Sequence, residues 1–81
     1  MSQMTIQDDR FIGFRVKYEL ERQDLTQAWL ARNLSATDMY IGRRIRGEVP
    51  FGAVELAQVA QLLGVEITVF FPPATPGERA S

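Results

Sequence analysis

Three arginines within four residues form the densest concentration of positive charge in the sequence. The segment IGRRIRGE, residues 41–48, contains Arg43, Arg44 and Arg46, whereas the whole chain of 81 residues has ten acidic and nine basic side chains. A guanidinium group presents a fixed fork of N–H donors that matches phosphate and carboxylate oxygens. The chemistry available in this segment is therefore recognition of an anionic or hydrogen-bond-accepting surface.

The basic side chains are concentrated in the middle of the chain. Residues 10–46 contain eight basic and four acidic side chains, whereas residues 1–9 contain two acidic ones and residues 47–81 contain four acidic and one basic. A basic centre with acidic flanks is compatible with a single anionic partner surface, but charge blocks of this size are more often solvated surface. Charge alone therefore leaves both interpretations open.

The composition argues against an enzyme and against a membrane protein. The chain has no cysteine and no histidine, so it lacks disulfides, Cys/His metal sites and the usual Cys- or His-based nucleophiles and bases. No apolar run approaches the roughly 20 residues that span a bilayer. The first ten residues are polar and acidic, unlike a signal peptide. We expect a cytoplasmic protein with no metal, cofactor or membrane association.

Apolar periodicity predicts an all-α domain. Ile12, Val16 and Leu20 recur every four residues and predict a first helix over residues 10–22. Residues 53–63 repeat the helical i, i+3, i+4 pattern, and Gly64 follows as a terminator. We expect a flexible N-terminus over residues 1–9, a folded domain over residues 10–71 and a disordered tail over residues 72–81.

Between these helices, the sequence predicts two short helices joined by a tight turn. Thr26 and Thr37 each stand where a side-chain hydroxyl could accept a hydrogen bond from the first turn of a helix. Gly47 and Pro50 predict the end of the second short helix. A pair of short helices inside a small helical bundle is the arrangement of a helix-turn-helix DNA-binding unit.

The second short helix has one apolar face and one basic face. At about 100° per residue, Ile41 and Ile45 lie on the core side. The residues on the opposite, exposed face are Met39, Gly42, Arg43 and Arg46. Two arginines, a flexible apolar side chain and a glycine suit a major groove, because arginine can pair with guanine O6 and N7.

Arg44 lies between the two faces of that helix. One interpretation is a DNA contact. The other is a stem packed at the edge of the core, with the guanidinium paired to Glu48 or Glu55, and Glu48 is the preferred partner.

These residues together resemble the phage-repressor and Cro-like (XRE-type) helix-turn-helix family. The matching positions are Leu25, Thr26, Gln27, Leu30, Ala31, Leu34, Ile41, Gly47 and Pro50, and QLLGVEITVFF (residues 61–71) is similar to the closing element of the family. The resemblance covers residues 11–71 and implies a compact four- to five-helix, lambda-repressor-like DNA-binding domain. Ser35 departs from it by replacing the usual turn glycine, and Arg44 takes a position that is usually apolar.

The resemblance also implies which residues contact DNA. Gln27 would touch the DNA backbone, Arg46 would reach a phosphate, and the side chains presented to bases would be Asp38, Met39, Tyr40 and Arg43. With Thr37 and Gly42, these residues make up the candidate DNA-binding set. Asp38 has a second interpretation, because an acidic residue in the first turn is favoured by the helix dipole alone.

The function we expect is sequence-specific binding of double-stranded DNA by a transcriptional regulator, in the form of a phage or prokaryotic repressor. A single short recognition helix makes few phosphate contacts, so we expect a homodimer on a near-palindromic site. The candidate dimerisation residues lie in a segment that could be strand or helix; they are Val65, Ile67, Val69, Phe70 and Phe71. The alternative is an antitoxin-like or phage accessory module with the same fold that binds another protein.

Overall fold

A computed structural model describes residues 6–73, with side chains from Asp8 onward. It contains four α-helices and one 3₁₀ helix. Their bounds are α1 Ile6–Arg22, α2 Gln27–Asn33, α3 Asp38–Ile45, α4 Ala53–Leu63 and the 3₁₀ helix Ile67–Phe70. Residues 6–73 contain no strand, which confirms the all-α fold and excludes the strand alternative for the last segment. None of the helices in this range is long and apolar enough to cross a membrane.

The first helix is longer than the apolar pattern predicted. It begins at Ile6 rather than Arg10, so residues 6–9, which we expected to be flexible, form its first turn. Asp8 and Asp9 lie in that turn, where negative charge is stabilised by the positive end of the helix dipole. The pattern missed this turn because it contains no repeat of the apolar face. The rest of the expected flexible N-terminus and most of the expected disordered tail lie outside the described residues.

All four α-helices end with the same backbone turn. One or two positions beyond the last residue of each helix, a residue has a left-handed conformation, with φ between 56° and 79°. These residues are Asp24, Ser35, Gly47 and Gly64. In each case the next backbone N–H donates to the carbonyl five residues back, at 2.8 to 3.0 Å, which satisfies a carbonyl that the helix leaves unpaired. Ser35 thus adopts the conformation for which a glycine is the usual choice.

Both predicted threonine caps are present. The Thr26 hydroxyl accepts from the backbone N–H of Trp29 at 3.0 Å, and the Thr37 hydroxyl accepts from that of Tyr40 at 3.1 Å. Each cap satisfies an N–H at the start of a short helix, a contribution of about 1 kcal/mol. The two caps fix where α2 and α3 begin.

Every helix of the described chain contributes a side chain to the core. Its five most deeply buried large side chains come one from each element; they are Val16, Leu30, Ile41, Val59 and Phe70. Phe70 is fully buried, which corrects our expectation that it is a dimerisation residue. The 3₁₀ helix packs against α1 and α4 and turns the Phe70 ring into the core.

A close approach of backbones sets the position of α3 on α1. A Cβ atom added to Gly13 would lie only 2.0 Å from the carbonyl oxygen of Ile45 and 2.8 Å from that of Arg44. Only glycine allows the end of α3 to lie this close to α1. Gly13 therefore determines how far α3 stands out from the rest of the bundle.

Glu19 is a buried carboxylate on α1, with 5% of its surface exposed. The guanidinium of Arg22 donates to it, with Nε at 3.0 Å, and that of Arg15 lies 3.8 Å away. The Arg22 hydrogen bond lowers the pKa of Glu19 against the opposing effect of desolvation, and the positive charges of Arg22 and Arg15 act in the same direction as the bond. The carboxylate is therefore ionised and stabilises the fold.

The two buried helix glycines should differ in their response to alanine. Gly13→Ala must separate α1 from α3 and should cost about 2–3 kcal/mol of unfolding free energy. Gly42→Ala meets side-chain ends only, those of Gln27 and Arg46 at 3.0 Å, so displacing them offsets the helix preference of alanine and the unfolding free energy should change by less than about 1 kcal/mol. Denaturant unfolding of both variants measures the difference, and equal effects would contradict the close approach at Gly13.

The Glu19 ion pair should make stability depend on pH. Glu19→Gln should cost about 1 kcal/mol at neutral pH, since Arg22 is half exposed and partly screened. Because the pKa of Glu19 is lower in the folded state than its usual 4.5, the stabilisation is present above pH 4.5 and is lost as the pH falls through the folded value.

Thermal unfolding of wild type and Glu19→Gln from pH 7 to pH 2.5 should therefore give curves that converge at acid pH. Glu66→Gln, at an exposed position whose side chain makes no cap hydrogen bond, is the matched control and should follow wild type throughout. A constant gap between wild type and Glu19→Gln would show that the pair does not act through its charge.

Candidate nucleic-acid interface

The helices α2 and α3 are fixed to each other at their N-terminal ends. The side-chain Nε2 of Gln27, the first residue of α2, donates to the backbone carbonyl of Asp38, the first residue of α3, at 3.0 Å. With the Thr37 cap, this bond orders the first turn of α3. Gln27, predicted to touch a DNA backbone, therefore also joins the two helices.

Most of the candidate DNA-binding set is exposed to solvent on α3 or at its two ends, and we call these side chains the α3 face. Its exposed members are Thr37, Asp38, Met39, Tyr40, Arg43 and Arg46. Met39 is the most exposed of its large apolar side chains, with 66% of its surface accessible. An apolar side chain held in solvent next to arginines is available for contact with a partner surface.

Gly42 does not lie on this exposed face. It is buried, and an added Cβ atom would lie 3.0 Å from the amide nitrogen of Gln27 and 3.0 Å from a guanidinium nitrogen of Arg46. Our expectation that Gly42 lies on the exposed face of α3 is therefore wrong. Its small size instead lets these two side chains fold over the helix.

Arg44 is bound to α4 through Glu55. Its Nε lies 3.1 Å from Glu55 Oε1, while the Tyr40 hydroxyl donates to Glu55 Oε2 at 2.7 Å. The Arg44 guanidinium also lies 3.5 Å from the centroid of the Tyr40 ring. This cluster of Tyr40, Arg44 and Glu55 attaches the outer side of α3 to α4. Of the two interpretations of Arg44, the structure shows the packed one, with Glu55 and not the preferred Glu48 as the acidic partner.

The hydrogen bond in this cluster changes the acidity of Tyr40. By accepting from the phenol, the Glu55 carboxylate stabilises the protonated form and raises the pKa of Tyr40, and burial and the negative charge of Glu55 act in the same direction. The Tyr40 hydroxyl is therefore directed to α4, and the exposed part of Tyr40 is mainly its ring.

Arg46 and Arg43 differ in their acidic neighbours. Arg46 Nε lies 2.6 Å from Glu48 Oε2, and both side chains are more than half exposed. The hydrogen bond from Arg46 lowers the pKa of Glu48. Arg43 makes no side-chain hydrogen bond or ion pair within residues 6–73, although its charge also lowers the pKa of Glu48. Arg43 is thus the arginine of α3 with a guanidinium open to a partner.

The positive charge of α3 is largely matched nearby. The two arginines of α3 and the C-cap residue Arg46 are accompanied by three carboxylates, those of Asp38 in the first turn, Glu48 beyond the helix end and Glu55 on α4. The sequence reasoning missed the Arg46 pair and the role of Tyr40. The i, i+4 spacing of Tyr40 and Arg44 is the signal that could have indicated the cluster. In the described part of the chain, no group of acidic side chains could hold a metal ion.

The dimerisation residues are less exposed than the sequence pattern suggested. Val65, Ile67 and Val69 are partly buried against the core, while Phe71, at 40% exposed, is the aromatic side chain of this segment that faces solvent. The 3₁₀ helix alone therefore offers little apolar surface to a second copy.

Comparison with known proteins places this fold among helix-turn-helix regulators. No protein-family model matches the chain, and no curated protein matches it in sequence. Among solved structures, the restriction-modification controller protein C.AhdI from Aeromonas hydrophila is 25% identical with a TM-score of 0.74, over 80% of this chain and 98% of that one.

Two further structures share the fold at lower identity. The DNA-binding domain of BldD is 18% identical with a TM-score of 0.75, over 85% of this chain and 100% of that one. The clp gene regulator ClgR from C. glutamicum is 18% identical with a TM-score of 0.72, over 84% of this chain and 86% of that one. The predicted helix-turn-helix fold is thereby confirmed, and it is consistent with the resemblance to XRE-type proteins.

The same fold also occurs as part of a longer chain. Apo-HppE is 25% identical with a TM-score of 0.76 over 84% of this chain, but the match spans only 38% of HppE.

Removing the Glu55 charge should lower the pKa of Tyr40. In a Tyr18→Phe background Tyr40 is the only tyrosine of the chain, so its phenol can be titrated by ultraviolet absorbance. Glu55→Gln replaces a charged acceptor by a neutral one and should lower the pKa of Tyr40. Glu48→Gln, which leaves the cluster intact, is the control. An unchanged titration in Glu55→Gln would contradict the hydrogen bond.

Proposed function

We propose that this chain is a sequence-specific DNA-binding transcriptional regulator, acting as a repressor, that inserts the N-terminal half of α3 into the major groove. The observation that carries the proposal is the α3 face, an exposed set of side chains on a helix oriented by the Thr37 cap and the Gln27 bond to Asp38. An α-helix presented in this way fits the width of the major groove.

Each exposed side chain of the α3 face has a role in this proposal. Arg43, with its open guanidinium, pairs with a guanine edge or clamps a phosphate. Met39 supplies apolar contact with bases. Asp38 either accepts from a cytosine amine or serves only the helix dipole, as the sequence left open. Tyr40 contributes its ring, since its hydroxyl is bound to Glu55.

DNA binding through Arg46 requires an exchange of partners. Arg46 is bound to Glu48, so it must release this carboxylate before it can take a phosphate. The gain is the difference between two ion pairs at an exposed site, and it is small because solvent screens both pairs. One copy thus makes few favourable ionic contacts. This supports binding as a homodimer, with half-sites about one helical turn apart on a near-palindromic site.

A protein-binding module of the antitoxin or phage accessory type is the second candidate. The observation in its favour is the set of carboxylates that match the arginines of α3, because such a surface attracts polyanions weakly. The two functions differ in their response to salt. DNA binding should weaken with a slope in log K against log salt of about 0.9 per phosphate neutralised.

Selection of bound fragments from a random DNA pool at near-physiological salt tests the proposal directly. A recovered palindrome would support a dimeric, sequence-specific regulator. No enrichment of any sequence would reject this function in favour of the protein-binding module.

On the selected site, Arg43→Ala should weaken binding about 5- to 160-fold, the range for loss of one bidentate base contact. If Arg43 clamps a phosphate instead, the salt slope should also fall by about 1. Arg32→Ala is the matched control, because Arg32 is an exposed arginine at the far end of α2 with no side-chain partner within residues 6–73. Titration by fluorescence anisotropy at several salt concentrations measures both quantities.

The substitution Glu48→Gln should change DNA affinity in the opposite direction to Arg43→Ala. Glu48→Gln frees Arg46 from its carboxylate and removes a negative charge near Arg43, so it should increase DNA affinity several-fold. Equal losses in Arg43→Ala and Arg32→Ala, together with no effect of Glu48→Gln, would contradict binding through the α3 face.

A further inference from the structure

Helix α1 carries an exposed aromatic surface that DNA binding does not use. Phe14 is 60% exposed and Tyr18 is 44% exposed, one turn apart on the same side of the helix. The Arg15 guanidinium lies 4.7 Å from the centroid of the Tyr18 ring, and its Nε donates to the Val69 carbonyl at 3.1 Å. The aromatic surface of α1 therefore adjoins the 3₁₀ helix and the exposed Phe71 that follows it.

Charged side chains of opposite sign flank the two rings along α1. At about 100° per residue, Arg10, Tyr18 and Glu21 all lie within roughly 40° of the direction of Phe14. We call these four residues, Arg10, Phe14, Tyr18 and Glu21, the α1 stripe. Both charged members are exposed, and neither makes a side-chain hydrogen bond or ion pair within residues 6–73. The stripe is thus basic at one end, aromatic in the centre and acidic at the other end.

This order of residues makes the α1 stripe complementary to itself. When two copies of α1 lie antiparallel, Arg10 of each copy faces Glu21 of the other, and Phe14 faces Tyr18. The midpoints of these two pairings differ by half a residue, which is about 0.8 Å along the helix axis. Both pairings can therefore form around one two-fold axis, as an isologous interface requires.

We propose that the α1 stripe is the homodimer interface of this protein, with two copies of α1 packed antiparallel. Exposed Lys17 then faces the Phe14 ring of the second copy, where its ammonium makes a cation–π contact. Phe71 extends the interface at each end. This proposal rests on the proposed function and gives its homodimer a specific interface. The exposed aromatic side chains of α1 take the role that we expected of Phe70, which is buried.

The size of the surface predicts a reversible dimer. Three partly exposed aromatic rings and the stems of the charged residues give roughly 400–600 Å² per copy, at the lower limit for a specific interface. We therefore expect a dissociation constant on the order of micromolar, which two half-sites on one DNA molecule would offset by holding the copies together.

Sedimentation equilibrium without DNA tests the interface across a range of protein concentrations. Wild type should dimerise with increasing concentration, and Phe14→Glu and Tyr18→Glu should stay monomeric. Val54→Glu is the matched control, because Val54 is 74% exposed on α4, away from the α1 stripe. Thermal unfolding of each variant shows whether it is folded. A wild type that is monomeric at all concentrations, or dissociation by Val54→Glu instead of Phe14→Glu, would overturn the proposal.

A charge exchange tests the antiparallel arrangement itself. Arg10→Glu and Glu21→Arg should each weaken the dimer at least 5-fold by placing like charges opposite each other, and the double variant should recover dimerisation. A double variant no better than the singles would overturn the antiparallel pairing. Because no DNA is present, a monomer that still selects a DNA sequence would reject this interface alone, whereas a dimer that selects none would reject the DNA-binding function alone.

Discussion

The contact between Gly13 and the carbonyls at the end of α3 is the constraint on which the rest of the structure depends. It brings the backbones of α1 and α3 closer than any side chain would allow. Once α3 lies there, the Gln27 bond fixes its first turn to α2, and the cluster of Tyr40, Arg44 and Glu55 fixes its outer side to α4. The helix that carries the α3 face is thus held from three directions.

The arginines of α3 show how one residue type serves both support and exposure. Arg44 contributes to the bundle, since its guanidinium contacts the Tyr40 ring one turn earlier in α3 and the Glu55 carboxylate on α4. Arg46 covers Gly42 and remains bound to Glu48, while Arg43 remains open. A basic segment in a sequence is thus a poor guide to charge at a surface, because each guanidinium has to be counted with its neighbours.

The helices, the caps and most of the core could be predicted because they depend on local spacing. A threonine before a helix satisfies a donor three residues away, and an apolar repeat defines a face without reference to the rest of the chain. The fold class follows from the same signals. The alternation in Val65–Phe71 was ambiguous because the deciding fact, the burial of Phe70 between other helices, is not local.

Features that depend on how side chains and helices pack in three dimensions could not be predicted. The burial of Gly42 results from side chains that reach over α3 from two directions, and a helical wheel of α3 alone cannot include them. The partner of Arg44 was misassigned for a related reason. The chain reverses at Gly47, which takes Glu48 toward Arg46, while packing of α4 brings Glu55 to Arg44.

The turn between α2 and α3 has a consequence for how the domain unfolds. A left-handed serine is less stable than a left-handed glycine by roughly 1 kcal/mol, so Ser35 favours other backbone conformations once its surroundings are lost. Asp24 is also left-handed, so the turn before α2 carries a similar conformational cost. The intrinsic backbone preferences of Ser35 and Asp24 do not stabilise these two turns. Each turn persists because the helices on both sides of it are packed. We therefore expect α2 and α3 to unfold together with the core, in one cooperative transition.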